Sequence, residues 1–304
     1  MEYLSYTPGP PLDGLVENLW SLSDAPPHGR ERILPSGTLE LVINLHEDEF
    51  RIYGDSDSWP PKRFRGAMVA GAYSGPFVID TREHVSILGV HFVPGGATPF
   101  LDAPPGHLAD AHVELETQWP RHASELRGRL CEARSPADRF RILEQALVAR
   151  LRQPSRHRSV IRGALEQIGR PGVTIAEVAV HVGLSHRRLI EVFRAEVGVP
   201  PKLFGRLMRF QRAVAAVKKS VSVDWAKLAV GCGYYDQSHM IKDFAEFSLF
   251  SPVALLRHRK DPVKVNHVAL PDPTGSNFSN TAPGSVGTFH ERGGADEIAS
   301  EHDP

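Results

Sequence analysis

The sequence predicts an α+β chain with a β-rich, barrel-like N-terminal domain and an all-α C-terminal domain. The C-terminal domain is expected to hold two helix-turn-helix units joined by a long helix. Three observations lead there. The first 110 residues carry short apolar runs separated by Gly, Pro and Asp clusters, the profile of a small barrel or sandwich. From about Ala111 the apolar spacing lengthens to three or four residues, the period of an amphipathic helix. The helical part then contains a degenerate duplication, the mark of a repeated structural unit.

Composition bounds the class. With 304 residues, 41% of them hydrophobic and 23% charged, the chain has the make-up of a soluble globular protein of about two domains. No run approaches the ~18 apolar residues of a membrane span. The opening MEYLSYTPGPPLDG lacks a basic stretch followed by an apolar one, so no secretory signal is expected. Cys131 and Cys232 stand alone, which argues against a disulfide scaffold or a Cys-based zinc site. A reducing cytoplasm is the expected compartment. The formal net charge of −1 conceals an asymmetry. Residues 1–155 hold 15 Lys and Arg against 21 Asp and Glu, residues 156–260 hold 18 against 8, and residues 261–304 hold 2 against 7. The middle segment is thus +10 between stretches of −6 and −5. Such a basic block points to a polyanionic partner, usually nucleic acid. On charge alone, a solvated basic helix face is an equal alternative.

In chain order, Ile33–Leu45 is an apolar run interrupted by a Pro-Ser-Gly turn. Arg51–Tyr53, Met68–Ala72, Phe77–Asp80 and Val85–Val93 are further short runs, each read as a strand. We assign 1–120 to this β-rich domain. Leu126, Leu130, Phe140, Leu143, Leu147 and Leu151 predict two helices within a connector over 121–155. Ser135 is the N-cap of the second and Pro136 occupies its first turn. Gln153-Pro154-Ser155 is the expected hinge. The helical domain occupies 156–260. The Gly, Pro, Ser and Asn-rich remainder, 261–304, is expected to be a disordered acidic tail, because it lacks the apolar surface to offset its ordering entropy.

The duplication pairs Thr174–Pro201 with Asp224–Pro252. Ala179 and Gly183 recur fifty residues on as Ala229 and Gly233; Leu189, Phe193 and Pro201 recur fifty-one on as Met240, Phe244 and Pro252. One extra residue therefore falls in the second turn. In the first copy Thr174 and Glu177 form a capping box, and Ile175, Val178, Ala179 and Val182 make an apolar face. Gly183 ends the helix and Ser185 starts the next. There Leu189, Val192 and Phe193 point inward, while His186, Arg187, Ile190, Glu191 and Arg194 lie outward or in the first turn. The second copy buries Trp225, Leu228, Ala229 and Cys232, then Met240 and Phe244. It exposes Gln237, Ser238, Ile241 and Lys242, with His239 at the margin. Arg and Gln can make bidentate contacts with guanine and adenine edges, and Lys and Arg can neutralise phosphates. One such hairpin is a weak signal, since any αα-corner with Gly imitates it. Two joined by a basic helix, Pro201–Ser220, are specific. That helix buries Leu203, Phe204, Leu207, Phe210, Val214 and Val217. Lys202, Arg206, Arg209, Arg212, Lys218 and Lys219 make the rest of it basic.

Over Arg158–Arg259 the chain resembles the AraC/XylS family of transcription regulators. The most telling stretch runs Ala229-Val230-Gly231-Cys232-Gly233-Tyr234-Tyr235-Asp236-Gln237-Ser238-His239-Met240, followed by Asp243-Phe244, Phe247 and Ser251-Pro252. Arg209-Phe210-Gln211-Arg212-Ala213 is similar to the end of the family's linker helix. The resemblance implies sequence-specific binding of double-stranded DNA, with Ser185–Glu196 and Asp236–Glu246 in successive major grooves. Its candidate DNA contacts are His186, Arg187, Ile190, Glu191, Arg194, Gln237, Ser238, His239 and Lys242. A twenty-residue linker helix spans ~30 Å, close to the ~34 Å repeat of the groove. One position departs from the family. Leu249 stands where Gly is usual and where the first copy has Gly198, so a positive φ there would strain it.

Glu40–Leu45 and Gly89–Leu101 resemble an uncharacterised domain often fused to such regulators and similar to cupin-like β-barrels. The resemblance implies an effector-binding or dimerising module. Further partners open to such a chain are a small-molecule effector, a second copy and, for an activator, RNA polymerase; a membrane is not among them. The rival reading is a cupin-type metal-dependent enzyme tethered to DNA by its helical domain. Metal-binding cupins need converging imidazoles, but His46, His84 and His91 lack His-x-His spacing. We therefore expect no metal, no cofactor and no enzymatic activity. Trp20, Trp59, Phe77 and Phe92 are candidates for a ligand pocket, with core packing the commoner role. Pro94-Gly95-Gly96 could approach a phosphate but reads more simply as a turn. A purely structural nucleoid protein is the third, weaker reading.

Overall fold

The structure, a computed structural model of the chain, describes residues 2–24, 29–54, 60–82, 84–170, 172–217, 223–258, 266–270 and 287–288. Its N-terminal half contains β1 (Glu2–Tyr6), β2 (Val16–Ser23), β3 (Arg30–Ile33), β4 (Glu40–Asn44), β5 (Phe50–Tyr53), β6 (Lys62–Phe64), β7 (Ala67–Ala70), β8 (Phe77–Asp80), β9 (Ile87–Phe92) and β10 (His112–Glu114). Two short strands come from the end of the chain, β11 (His267–Ala269) and β12 (Gly287–Thr288). The larger sheet runs β10-β7-β4-β9-β2-β1-β12 and the smaller β11-β3-β8-β5-β6. All pairings are antiparallel except β1 with β12.

The β-rich half is as predicted, but the barrel does not close. The reason lies in the Ile33–Leu45 run. Its Pro-Ser-Gly turn delivers β3 and β4 to different sheets rather than pairing them. Gly37 at φ 73° makes that corner, and the hydroxyls of Ser36 and Thr38 are 2.8 Å apart across it. The β4 sequence Leu41-Val42-Ile43 is apolar throughout because both faces of its sheet are covered. Alternation sends Leu41 and Ile43 to one core and Val42 to another. On the first face Leu19, Val69, Leu88 and Val90 pack with α1 (Ala123–Glu132) and α2 (Pro136–Arg150). On the second, Leu22, Met68 and Ile87 meet Phe50, Ile52 and Ile79 of the smaller sheet. Ser135 caps α2 by accepting the Asp138 N–H at 3.1 Å.

The C-terminal half holds α3 (Arg158–Ile168), α4 (Ile175–His181), α5 (His186–Val197), α6 (Pro201–Val217), α7 (Trp225–Gly231), α8 (Gln237–Ser248) and α9 (Pro252–His258). No helix among the described residues is long and apolar enough to cross a membrane. The two halves share a core. Phe92, Phe100 and Trp119 belong to the same buried cluster as Ile161, Val192, Phe193 and Val199. A Cβ on Gly198 would lie 2.8 Å from that of Ala72, and one on Gly106 would lie 2.6 Å from the Arg194 carbonyl oxygen. These glycines allow backbone to meet backbone across the interface. The expected hinge is fastened there: Ser155 Oγ donates to Glu196 Oε1 of α5 at 2.5 Å. Gly95 of the Pro-Gly-Gly corner sits against Ile161 of α3.

The expectation of a disordered tail from residue 261 is corrected at 266–270. Here β11 extends the smaller sheet at the β3 edge. The Leu34 N–H donates to the Asn266 carbonyl at 2.8 Å and the Leu270 N–H to that of Arg30 at 2.9 Å. Val268 is wholly buried in a second core with Leu34, Leu207, Phe210, Met240 and Phe244. An existing edge supplies the backbone partners, so three residues suffice where composition alone shows no apolar face. β12 pairs with β1. The rest of 261–304 lies outside the described residues.

Candidate nucleic-acid interface

Each repeat folds as a capped hairpin. In the first, Thr174 Oγ1 accepts the Glu177 N–H at 3.3 Å and Glu177 Oε2 accepts the Thr174 N–H at 2.8 Å. That second bond lowers the Glu177 carboxyl below its ordinary range. Gly183 turns the chain at φ 70°, and Ser185 Oγ caps α5 by accepting the Arg188 N–H at 3.2 Å. In the second, Asp224 caps α7, Gly233 turns at φ 86°, and Asp236 Oδ1 caps α8 by accepting the His239 N–H at 2.7 Å. The equivalence of Ser185 and Asp236 places the extra residue at Tyr235, which is 90% exposed.

The inward set matches the reading: Leu189, Val192, Phe193, Met240 and Phe244 are buried. On α5, His186, Arg187, Glu191 and Arg194 are exposed and Ile190 is half-buried. Arg187 is 90% exposed, with its Nε 3.0 Å from Glu191 Oε1. Arg187 first, then Arg188, hold the Glu191 carboxyl below its ordinary range. On α8, Gln237, Ser238 and Lys242 are exposed. His239 is half-buried, edge-on to the Tyr234 ring at 5.3 Å.

Sequence reasoning missed two things here. The first is that much of the basic surface of α6 is engaged within the protein. Arg206 bonds Asp243 Oδ1 at 2.7 Å and Glu246 Oε2 at 2.5 Å, tying α6 to α8. Glu246 first, with Asp243, raises the Arg206 pKa beyond its already high value. Arg209 lies over the Tyr234 ring and Arg212 donates to the Gly169 carbonyl. Lys218 and Lys219 lie outside the described residues. The spacing that would have revealed this is the pair Asp243 and Glu246, one turn apart on α8 and able to share a guanidinium. The second is that one flank of α5 faces the N-terminal half. Arg188, Glu191, Val192 and Ala195 line a cleft of about 400 Å³ with Thr98, Pro104, Arg152 and His157.

At the end of α8, Leu249 is left-handed at φ 59°, ψ 21°, the counterpart of Gly198 at φ 104°. The expected positive φ is therefore present, with a side chain in place.

The candidate residues in the N-terminal half are dispersed. The His46 N–H donates to Asn44 Oδ1, and His84 packs edge-on to Phe50. His91 stacks on Trp20, and both approach the Glu40 carboxylate, at 3.3 and 2.9 Å. Phe77 contacts Tyr73 and His112, and Phe92 is buried against Phe100. Trp59 lies outside the described residues. Among the described residues no group of three His, Cys, Asp or Glu side chains is placed to hold a metal ion.

Two capped hairpins with Gly turns, joined by one helix and presenting polar second helices, define a helix-turn-helix DNA-binding unit. Residues 178–258 match the family model described as "Helix-turn-helix domain", and residues 4–114 match one described as "Domain of unknown function (DUF6597)". Residues 178–258 thus form a helix-turn-helix domain, the kind of unit that binds DNA. Among solved structures, an AraC-type transcriptional regulator of Chromobacterium violaceum is 18% identical, covering 34% of this chain and 96% of its own, with a TM-score of 0.31. ToxT of Vibrio cholerae is 7% identical, covering 79% and 97%, with a TM-score of 0.45. ToxT with an unsaturated fatty acid bound is 8% identical, covering 78% and 93%, with a TM-score of 0.43. No curated protein matches the chain.

Proposed function

We propose that the chain controls promoters by seating α5 and α8 in successive major grooves on one face of duplex DNA. Arg187 and Gln237 read bases, and His186, Ile190, Glu191, Arg194, Ser238, His239 and Lys242 complete the contacts. The observation that carries this reading is the matched capping of the two second helices by Ser185 and Asp236, in a segment of charge +10. We read 156–260 as the DNA-binding unit, 121–155 as its connector and 1–120 as a sensing or dimerising unit. The chain is then cytoplasmic and non-enzymatic. Its partners are duplex DNA, an effector or second copy at the N-terminal half, and RNA polymerase where it activates. The dispersal of His46, His84 and His91 into separate surroundings supports a regulator over a metal-dependent enzyme.

Selection of bound fragments from random DNA with the full chain tests the proposal. The expected result is two preferred blocks about 10 base pairs apart. Arg187→Ala and Gln237→Ala are each expected to relax one position in a different block, at a cost of about 1–3 kcal/mol. Uniform weakening on all sequences would place both residues on the backbone instead.

A further inference from the structure

Ile190 and Ile241 occupy the same place in the two repeats, fifty-one residues apart. Each is the fifth residue of its helix, directly after the inward-pointing Leu189 or Met240. Ile241 is 39% exposed and Ile190 half-buried. Their neighbours one turn back are polar on both helices: His186 and Arg187 for Ile190, Gln237 and Ser238 for Ile241. A β-branched apolar residue is a weak helix former, and the part of each side chain left open beside these polar neighbours gains nothing from packing within the protein. Its recurrence at one position of both repeats calls for an apolar partner outside the protein. The +10 charge of the segment makes that partner a polyanion. Base edges in the major groove offer one apolar group, the C5-methyl of thymine.

We infer that Ile190 and Ile241 each read a thymine methyl group, at the same position in the two halves of the operator. This rests on the groove-binding reading above and adds the specificity that the polar residues leave out. The two thymines lie about 10 base pairs apart, as the two grooves do.

The test uses the full chain and the operator recovered by selection, with each thymine replaced in turn by deoxyuridine, which lacks only the methyl group. Burying one methyl group is worth about 0.8 kcal/mol, or about four-fold in affinity. Two thymines about 10 base pairs apart are expected to show that loss, and the others little. Ile241→Ala should weaken binding and abolish the methyl effect in one half while leaving it intact in the other. Ile190→Ala should do the reverse. Because Ile241 is partly exposed on a helix, its replacement by Ala leaves the melting temperature unchanged or raised, which separates contact from folding. If wild type tolerates every deoxyuridine, or Ile241→Ala retains both methyl effects, the inference is overturned while groove binding stands. An apolar protein partner on this face would give that same result. If the full chain selects no sequence at all, both readings fall.

Discussion

Leu249 shows what one side chain costs when the backbone is dictated from elsewhere. The turn after α8 needs a left-handed residue, and a Cβ there meets the following carbonyl at a cost of about 1–2 kcal/mol. Leu249 is 47% exposed, so little packing is lost on removing it. Leu249→Gly should therefore stabilise the protein by about 1 kcal/mol after the extra entropy of glycine in the unfolded chain; a raised urea midpoint at constant slope would show it. His112 makes a second prediction. Burial, with Lys62 nearby, pushes its imidazole down to about 3. Its Nδ1 lies 2.5 Å from the Tyr73 hydroxyl, and Nε2 is buried without a hydrogen-bond partner. The folded state thus holds His112 neutral where the unfolded chain, titrating near 6.5, binds a proton. This contribution is complete above pH 6.5 and is lost as pH falls toward 3, by about 1.4 kcal/mol per pH unit. Urea midpoints should be flat in this respect above pH 6.5 and fall toward this slope between pH 6.5 and 5, and His112→Phe should reduce that fall. At this scale the sequence was legible wherever partners are close in the chain: Thr174 with Glu177, Ser135 with Asp138. Arg206 with Asp243, thirty-seven residues apart, was not.

Among the elements, helices were easier to read than strands. The repeat spacing and the caps defined α4, α5, α7 and α8 because helical order is set by neighbours within one turn. Phe77–Asp80 was also read with its observed bounds. β1 and β2 were not singled out, since Glu2–Tyr6 is a half-exposed strand with no strict alternation. β11 was illegible for a different reason: its order comes from the β3 edge and from the core beneath Val268. Full burial of a valine is worth about 1.5–3 kcal/mol. Val268→Asp should therefore lower the melting temperature by several degrees, as should deletion of residues 262–304, with a shift of roughly 2–4 °C per kcal/mol for a chain of this size. The pairing of His267 Nδ1 with Glu31 Oε2 at 2.5 Å belongs to the same strand. Thermal melts of the two variants would test whether β11 is structural. Unchanged melting would return this segment to the solvated tail that its composition describes.

For the whole molecule, the composition and the switch of period placed the boundary between a β-rich and a helical half, but the contact between them was hidden. Gly106 against α5 and Gly198 against Ala72 join residues about ninety or more positions apart, and no local pattern encodes such a meeting. The charge division was legible and carries its own prediction. If about six phosphates are neutralised, operator affinity of the full chain should fall about a thousand-fold between 50 and 200 mM salt; a flat response in filter-binding titrations would contradict it. The shared core bears on how such a chain diversifies. Regulators are commonly pictured as interchangeable parts, a sensor exchanged for another above a constant DNA reader. Here Ile161, Val192 and Val199 of the helical half are buried together with Phe92 and Phe100 of the N-terminal half. A graft that replaces one half without its matching surface leaves that apolar area facing water. Leu34 is likewise buried with Phe210, Met240 and Phe244 of the second repeat, so a chimera cut at the seam where the composition changes would have to bring both matching apolar surfaces with it.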